Sequence, residues 1–188
     1  KEALMKEVHH RVKNNFQIIS SLLNIQANKI SSKKYQNPML NMQNRILAMS
    51  LVHEKLYVSE FQEAVYVNDY FKDLGDSIKD SLLSNKSFIS VKNEGEDFVI
   101  SLEKAIPLGL IVNELMTNSI KYAAEEGSEV NIELFIKKID DEIQIVLQDD
   151  GKGFPENFDP EGYSESIGLE LVHVLIEQLD GQINFKNN

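Results

Sequence analysis

The chain has 188 residues, 42% hydrophobic and 26% charged, enough for one or two domains around a real core. A formal charge of −11 argues against nucleic acid as a partner, since a phosphate backbone needs a basic surface; a nucleotide can still bind through a metal and a few amides. With no cysteine there is no disulfide framework, thiolate metal site or thiol nucleophile, which fits a reducing, cytoplasmic setting, and no apolar run approaches the ~18 residues of a membrane helix.

From Lys1 to about Lys29 there is no Pro or Gly, and Met5, Val8, Val12, Phe16, Ile19 and Leu23 recur at helical spacing. A polar break over 31–37 precedes Pro38, which suits the first turn of a second helix carrying Met39, Met42, Ile46, Met49, Val52 and Leu56. Two long helices with a short connection make an antiparallel hairpin. Beyond about Glu63 the pattern mixes strands and helices. Short strands are expected over 64–67, 87–92 and 98–102, the last two around a turn at Asn93-Glu94-Gly95, with a helix over 68–83. Pro107 fits an early helical turn, so the central helix is expected from about Ile106 to Ala124. Segments 130–137 and 142–148 alternate like paired strands across Ile139-Asp140-Asp141. Residues 151–167 read as a mobile loop, 169–179 as a helix and 182–186 as a strand. This order predicts a sheet with helices on one face, an α+β layer. The first residue, Lys1, has mid-helix character, and the chain reads as a fragment of a longer protein whose upstream sensor or anchor lies elsewhere.

On the first helix, ~100° of rotation per residue places His10 nearly opposite the apolar face and His9 on its flank. A phosphoryl acceptor must be reachable by a bulky nucleotide, which favours His10. A nucleophilic imidazole needs its other nitrogen held in the right tautomer. Glu7, one turn earlier, can do this; Asn14, one turn later, can position a water for the reverse hydrolysis. The plainer alternative is a pair of solvated surface histidines. His53 and His173 lack such polar surroundings and read as structural.

Glu114, Asn118 and Lys121 stand at i, i+4 and i+7, a polar stripe beside Leu108, Ile111, Val112 and Leu115. An Asn amide oxygen is a hard ligand suited to Mg²⁺, Lys121 can meet phosphate oxygens, and Glu114 can orient a water or the attacking group. In Asp149-Asp150-Gly151-Lys152-Gly153 the aspartate can accept from an adenine amino group, and the glycines let backbone approach a planar base. Gly168-Leu169 opens a helix, where amides and the dipole favour phosphate. Each motif alone has a structural explanation: an amphipathic edge, an Asp-Gly turn, a helix start. Their order and spacing together point to a nucleotide pocket.

These residues resemble the catalytic core of a sensor histidine kinase, of the subclass whose phosphoacceptor helix reads as His9-His10-Arg11-Val12-Lys13-Asn14-Asn15 does here. Residues 113–123, through Asn113, Glu114, Asn118, Lys121 and Tyr122, are similar to the family's N-box, with Asn118 at the Mg²⁺ ligand. Asp149, Gly151 and Gly153 match the G1 box, Asp149 at the adenine contact, and Ser166-Ile167-Gly168-Leu169 resembles a reduced G2 box. The resemblance covers nearly the whole chain. It implies a hairpin for dimerisation and phosphotransfer over 1–60, a four-helix bundle if dimeric, then a GHKL (Bergerat) ATP-binding α/β sandwich over 61–188. It further implies ATP and Mg²⁺, autophosphorylation at His10, and transfer to an aspartate of a response-regulator receiver. Arg11 stands where the largest kinase subclass has an acidic residue, Ser166 replaces a glycine, and the lid is short. Two other functions share the pocket: an ATPase using Glu114 as base, and a nucleotide-binding scaffold without autokinase activity.

Overall fold

The computed structural model describes residues 2–30, 32–58, 64–81, 87–93, 97–123, 130–155, 158–159 and 167–187. Two long helices come first, α1 (Glu2–Lys29) and α2 (Lys33–Val58). Lys13 donates to Glu54, and the rings of Phe16 and His53 lie 5.7 Å apart, so the helices run antiparallel. On α1, Phe16, Ser20, Leu23 and Ala27 make the inward row, Ser20 and Ala27 buried, and Asn44, Ala48 and Val52 are buried on α2. This shifts the expected stripe. Val8 and Ile19 are exposed, and a second apolar row, Ile18, Leu22 and Ile25, faces outward at 59, 55 and 51% exposure. Four-residue steps drift around a 3.6-residue helix, so an apolar set as broad as this one exceeds a single partner helix.

Pro38 lies in the second turn of α2, because the Ser32 carbonyl already accepts from the Tyr35 and Gln36 amides. Pro107 likewise lies within α4 (Leu102–Asn118), which starts four residues before the expected Ile106. Each proline removes one helical donor. In α4, packing of Leu102, Ala105 and Ile106 on the core offsets that loss.

The remaining elements are β1 (Ala64–Tyr66), α3 (Val67–Ser81), β2 (Ser87–Asn93), β3 (Val99–Ser101), a π-helical turn (Ser119–Ala123) continuing α4, β4 (Val130–Ile139), β5 (Glu142–Asp149) and α5 (Ile167–Gln178). One sheet has the order β2-β4-β5, with β2 parallel to β4 and β5 antiparallel to it; β1 and β3 form a separate antiparallel pair. The strands over 87–92 and 98–102 therefore pair elsewhere, not with each other, and the turn between them lies mostly outside the described residues. The β4–β5 hairpin turns through Asp140 at φ 53°, a left-handed conformation that Asp tolerates better than branched residues. Along β4, Val130, Ile132, Leu134 and Ile136 are buried and alternate with less buried neighbours. They share a core with Tyr70, Phe71, Leu74 and Ile78 of α3, Leu110, Val112 and Met116 of α4, and Val172 and Leu175 of α5. This is a helical hairpin followed by an α/β layer, as the sequence led one to expect.

No ladder forms over 182–187. The apolar alternation there has another cause: Phe185 packs edge-on to Phe154 and Phe158, whose rings stack at 4.2 Å. Much of the predicted loop, 156–157 and 160–166, lies outside the described residues. Among those described, no helix is long and apolar enough to cross a membrane.

Candidate nucleotide and phosphotransfer site

Asp149 ends β5 opposite Ile132 of β4, which fixes its backbone next to the helical layer. Its Oδ2 accepts from the Ser119 hydroxyl at 2.7 Å and its Oδ1 from the Gly151 amide at 3.1 Å. Ser119 is the residue immediately after Asn118, so one hydrogen bond ties the expected adenine contact to the expected metal ligand. The following turn is pressed onto the π turn. A Cβ on Gly151 would sit 2.3, 2.5 and 2.7 Å from the Cβ, O and Cα of Ala123, and the Lys152 amide donates to Ala123 O at 3.1 Å. Gly151 is required by close approach, whereas Gly153 is required by its φ of +72°. Asn187 then closes the loop end: its Oδ1 accepts from the Phe154 amide at 2.7 Å and its Nδ2 donates to Phe154 O at 3.1 Å. Asp150 faces away, its carboxylate held below the usual range by hydrogen bonds from the Asn131 side chain and amide.

A π turn widens the helix by one residue, and such turns cluster at functional sites. Here it ends α4 at Asn118, leaves Tyr122 65% exposed, and turns Ser119 and Ala123 toward the Asp149–Gly153 loop. Asn118 is half-buried. On the same helix, Asn113 Oδ1 and Thr117 Oγ1 are buried polar atoms with no hydrogen-bond partner among the described residues. Gly168 and Leu169 are half-buried in the first turn of α5.

The other two members of the stripe are engaged by α2. Glu114 is 5% exposed, and both its oxygens accept from Arg45 Nε and Nη2 at 2.9 Å, with a further bond from Asn113 Nδ2 at 3.1 Å. The guanidinium's hydrogen bond to Glu114 raises its already high pKa against the cost of burial. Lys121 donates to Asn41 Oδ1, and burial lowers its pKa, with Glu114 opposing and Arg45 reinforcing the shift. Asn41 and Arg45 escaped sequence reasoning because the pairs span 80 and 69 residues; the one local signal is their own i, i+4 spacing on α2.

On α1, Glu7 accepts from Arg11 Nε at 2.8 Å, and Asn14 is exposed beside a shallow depression it shares with Gln17, Ile18, Ser21 and Leu22. His10 lies within the helix, but the side chains of His9 and His10, and hence their expected directions, are outside the described residues. His173 is half-buried on α5.

The residues present fit a nucleotide: a carboxylate on a backbone-only cradle, capped by a helix bearing an amide oxygen. They fit Mg²⁺ through Asn118 alone, since among the described residues no three His, Asp or Glu converge on a metal position. A magnesium ion accepts so few protein ligands when phosphates and waters complete its shell.

Such a cradle beneath a sheet-backed helix, joined to an antiparallel hairpin, defines a GHKL-type nucleotide-binding unit with an attached phosphotransfer-type hairpin. Residues 7–82 match the family model described as histidine kinase, and residues 103–188 match the model for histidine kinase-, DNA gyrase B- and HSP90-like ATPases. The chain belongs to the sensor histidine kinases, as their catalytic core. It is 28% identical to the sensor histidine kinase PdtaS of Mycobacterium tuberculosis over its full length, covering 37% of that protein. The PdtaS of Mycolicibacterium smegmatis is 30% identical over 97% of the chain, 36% of the relative. The chain thus spans little more than a third of the relatives it matches. The solved histidine kinase domain of the Erythrobacter litoralis EL346 blue-light-activated kinase superposes with a TM-score of 0.67 at 22% identity, over 96% of this chain and 85% of that one.

Proposed function

We propose that this chain autophosphorylates a histidine with ATP and passes the phosphoryl group to an aspartate of a response-regulator receiver. The observation that carries the reading is the Ser119–Asp149 bond with the Gly151–Ala123 contact, which joins the two nucleotide motifs into one cradle. Residues 1–60 are assigned to phosphotransfer and 61–188 to ATP binding. Asp149 would hold the adenine amino group, Gly151 and Gly153 would admit the base, and the amides of Gly168 and Leu169 would face phosphate. Tyr122 would border the nucleotide. Asn118 would hold Mg²⁺, which when bound neutralises phosphate charge.

His10 attacks the γ-phosphorus in line through its unprotonated nitrogen. The bond to the β,γ-bridging oxygen breaks, leaving ADP and phosphohistidine. Glu7 is assigned to the opposite ring nitrogen, which requires Arg11 to release it. Asn14 is assigned to the water of the reverse hydrolysis. The outward row Ile18, Leu22 and Ile25 supports pairing with a second hairpin into a four-helix bundle, with Asn14 near its polar edge. The rival in which Glu114 activates water for hydrolysis is disfavoured, because three donors occupy that buried carboxylate.

The test is incubation with labelled Mg²⁺-ATP followed by localisation of acid-labile phosphate. The reading expects phosphate on wild type and its loss in His10→Ala. Label persisting at His9 would overturn the residue assignment; free phosphate with no phosphoprotein would overturn the kinase.

A further inference from the structure

The carboxamide of Asn187 meets both backbone groups of Phe154, 33 residues earlier in the chain. The Phe154 amide donates to Oδ1 at 2.7 Å, and Nδ2 donates to the Phe154 carbonyl at 3.1 Å. We propose that Asn187 is a positioning residue for the nucleotide, holding the exit of the Asp149–Gly153 loop in the shape that admits the base. The proposal rests on the reading of that loop as a nucleotide cradle.

Three observations carry it. The first is the pairing itself. A hydrogen-bonded residue pair in an antiparallel sheet exchanges one donor and one acceptor each way, and a carboxamide offers the same two groups. The side chain of Asn187 thus does for Phe154 what a paired strand would. The second is Gly153. Its φ of +72° is open to glycine and costly to other residues, and a Cβ there would lie 2.8 Å from Asn187 Oδ1 and 3.2 Å from its Cγ. The carboxamide therefore lies against the second glycine while it bonds the residue after it. The third is the ring cluster. Phe185, two residues before Asn187, meets Phe154 at 5.8 Å and Phe158 at 5.6 Å, and the Phe158 amide donates to Pro155 O at 2.9 Å. One short segment grips the turn after Gly153 with a ring and with an amide.

The loop is then tied at both ends. Ser119 and Ala123 hold its start through Asp149, Gly151 and Lys152, and Asn187 holds its end. Glycine gives up more backbone freedom on ordering than any other residue. Without the carboxamide, Gly153 samples several shapes, and the nucleotide must select one of them at the expense of its own binding energy. Asn187 is assigned no contact with the reacting atoms, so its loss weakens ground state and transition state alike.

Asn187→Ala and Asn187→Asp are compared with the parent in the otherwise intact chain. ATP affinity is measured by calorimetric titration, autophosphorylation across a range of Mg²⁺-ATP, hydrogen exchange at the Phe154 amide by NMR, and global stability by urea unfolding. In Asn187→Ala the KM for ATP should rise roughly 5–30-fold, the factor expected for one or two lost hydrogen bonds. The rate at saturating ATP should hold, and the Phe154 amide should exchange faster. Asn187→Asp should lose as much, because an ionised carboxylate keeps the outline of the side chain but sets an acceptor against the Phe154 carbonyl. An unchanged KM in both variants would overturn the proposal. So would full affinity in Asn187→Asp, which would leave the filling of space as the only role. A parent that binds no ATP would sink the nucleotide reading and the positioning role with it, while exchange at Phe154 would still decide whether the carboxamide holds the loop.

Discussion

Gly151→Ala puts the cradle to its sharpest test. Gly151 has no positive φ, so alanine can adopt its backbone without strain and the whole cost is steric. The added methyl carbon would meet Ala123 Cβ at 2.3 Å, but also its O at 2.5 Å and Cα at 2.7 Å, and backbone atoms cannot rotate aside. Restoring an ordinary carbon contact of about 3.5 Å means moving the turn by roughly 1 Å. That stretches the 3.1 Å bond from the Lys152 amide to Ala123 O out of range. Overpacking at about 1–3 kcal/mol and a lost bond at about 1 kcal/mol give a total of about 2–4 kcal/mol. Because the same displacement carries Asp149 away from Ser119, much of the cost falls on nucleotide binding, where each ~1.4 kcal/mol is tenfold. Urea unfolding measures the stability arm and calorimetric titration with ATP the binding arm. Adding Ala123→Gly removes the nearest atom and leaves the other two, so recovery should be partial. A Gly151→Ala protein within about 0.5 kcal/mol of the parent, with unaltered ATP affinity, would refute the reasoning, since core overpacking of this degree does not pass unnoticed.

Two further outcomes follow from buried and titrating groups, beside that for His10. Tyr70 is fully buried with no partner for its hydroxyl among the described residues, and burial pushes that group's pKa far upward; Tyr70→Phe should stabilise the fold by about 1–2 kcal/mol in urea unfolding, and a loss would mean the hydroxyl is hydrogen-bonded. Asp150 has a folded pKa below its ordinary 3.8, so its contribution to stability is present above that value and fades as pH falls through the lower folded value; Asp150→Asn should flatten the dependence of the unfolding midpoint on pH there, and an unchanged slope would sink the assignment.

Periodicity made most elements legible. The step of two along Val130, Ile132, Leu134 and Ile136 announced a strand buried on one face, and the 3.6 spacing announced the helices. Local signals failed where tertiary packing overruled them. Proline statistics placed Pro38 and Pro107 in first turns, yet Leu102 and Ala105 gain enough by burial to extend α4 ahead of its proline. The alternation of Ile183 and Phe185 looked like a strand because burial, not a ladder, was being read: Phe185 seats on Phe154 and Phe158. At the site, the spacing of Asn118, Asp149 and Gly151 pointed to the helix end and the loop that the Ser119–Asp149 bond brings together. Arg45 gave no such signal, since a lone arginine on a helix has the look of a solvated charge until its partner 69 residues away is known.

The placement of Asn118 follows from constraints on its neighbours. Glu114, one turn before, is gripped by Arg45 of α2; Ser119, the next residue, is bonded to Asp149 of β5; Ala123, at the end of the π turn, holds the loop through Gly151 and Lys152. One end of this array answers to the hairpin and the other to the Asp149–Gly153 loop. A nucleotide that pulls Asp149 or the glycine loop therefore pulls on Ser119, and the strain passes along less than two helical turns to the Arg45 pair. Conversely, an α2 that retains Arg45 resists that movement. By linkage, whatever the Arg45–Glu114 pair does to ATP affinity, ATP must do in equal measure to the pair. Calorimetric titration should therefore give a different ATP affinity for Arg45→Ala than for the parent chain, and an unchanged affinity would break the chain of contacts argued here.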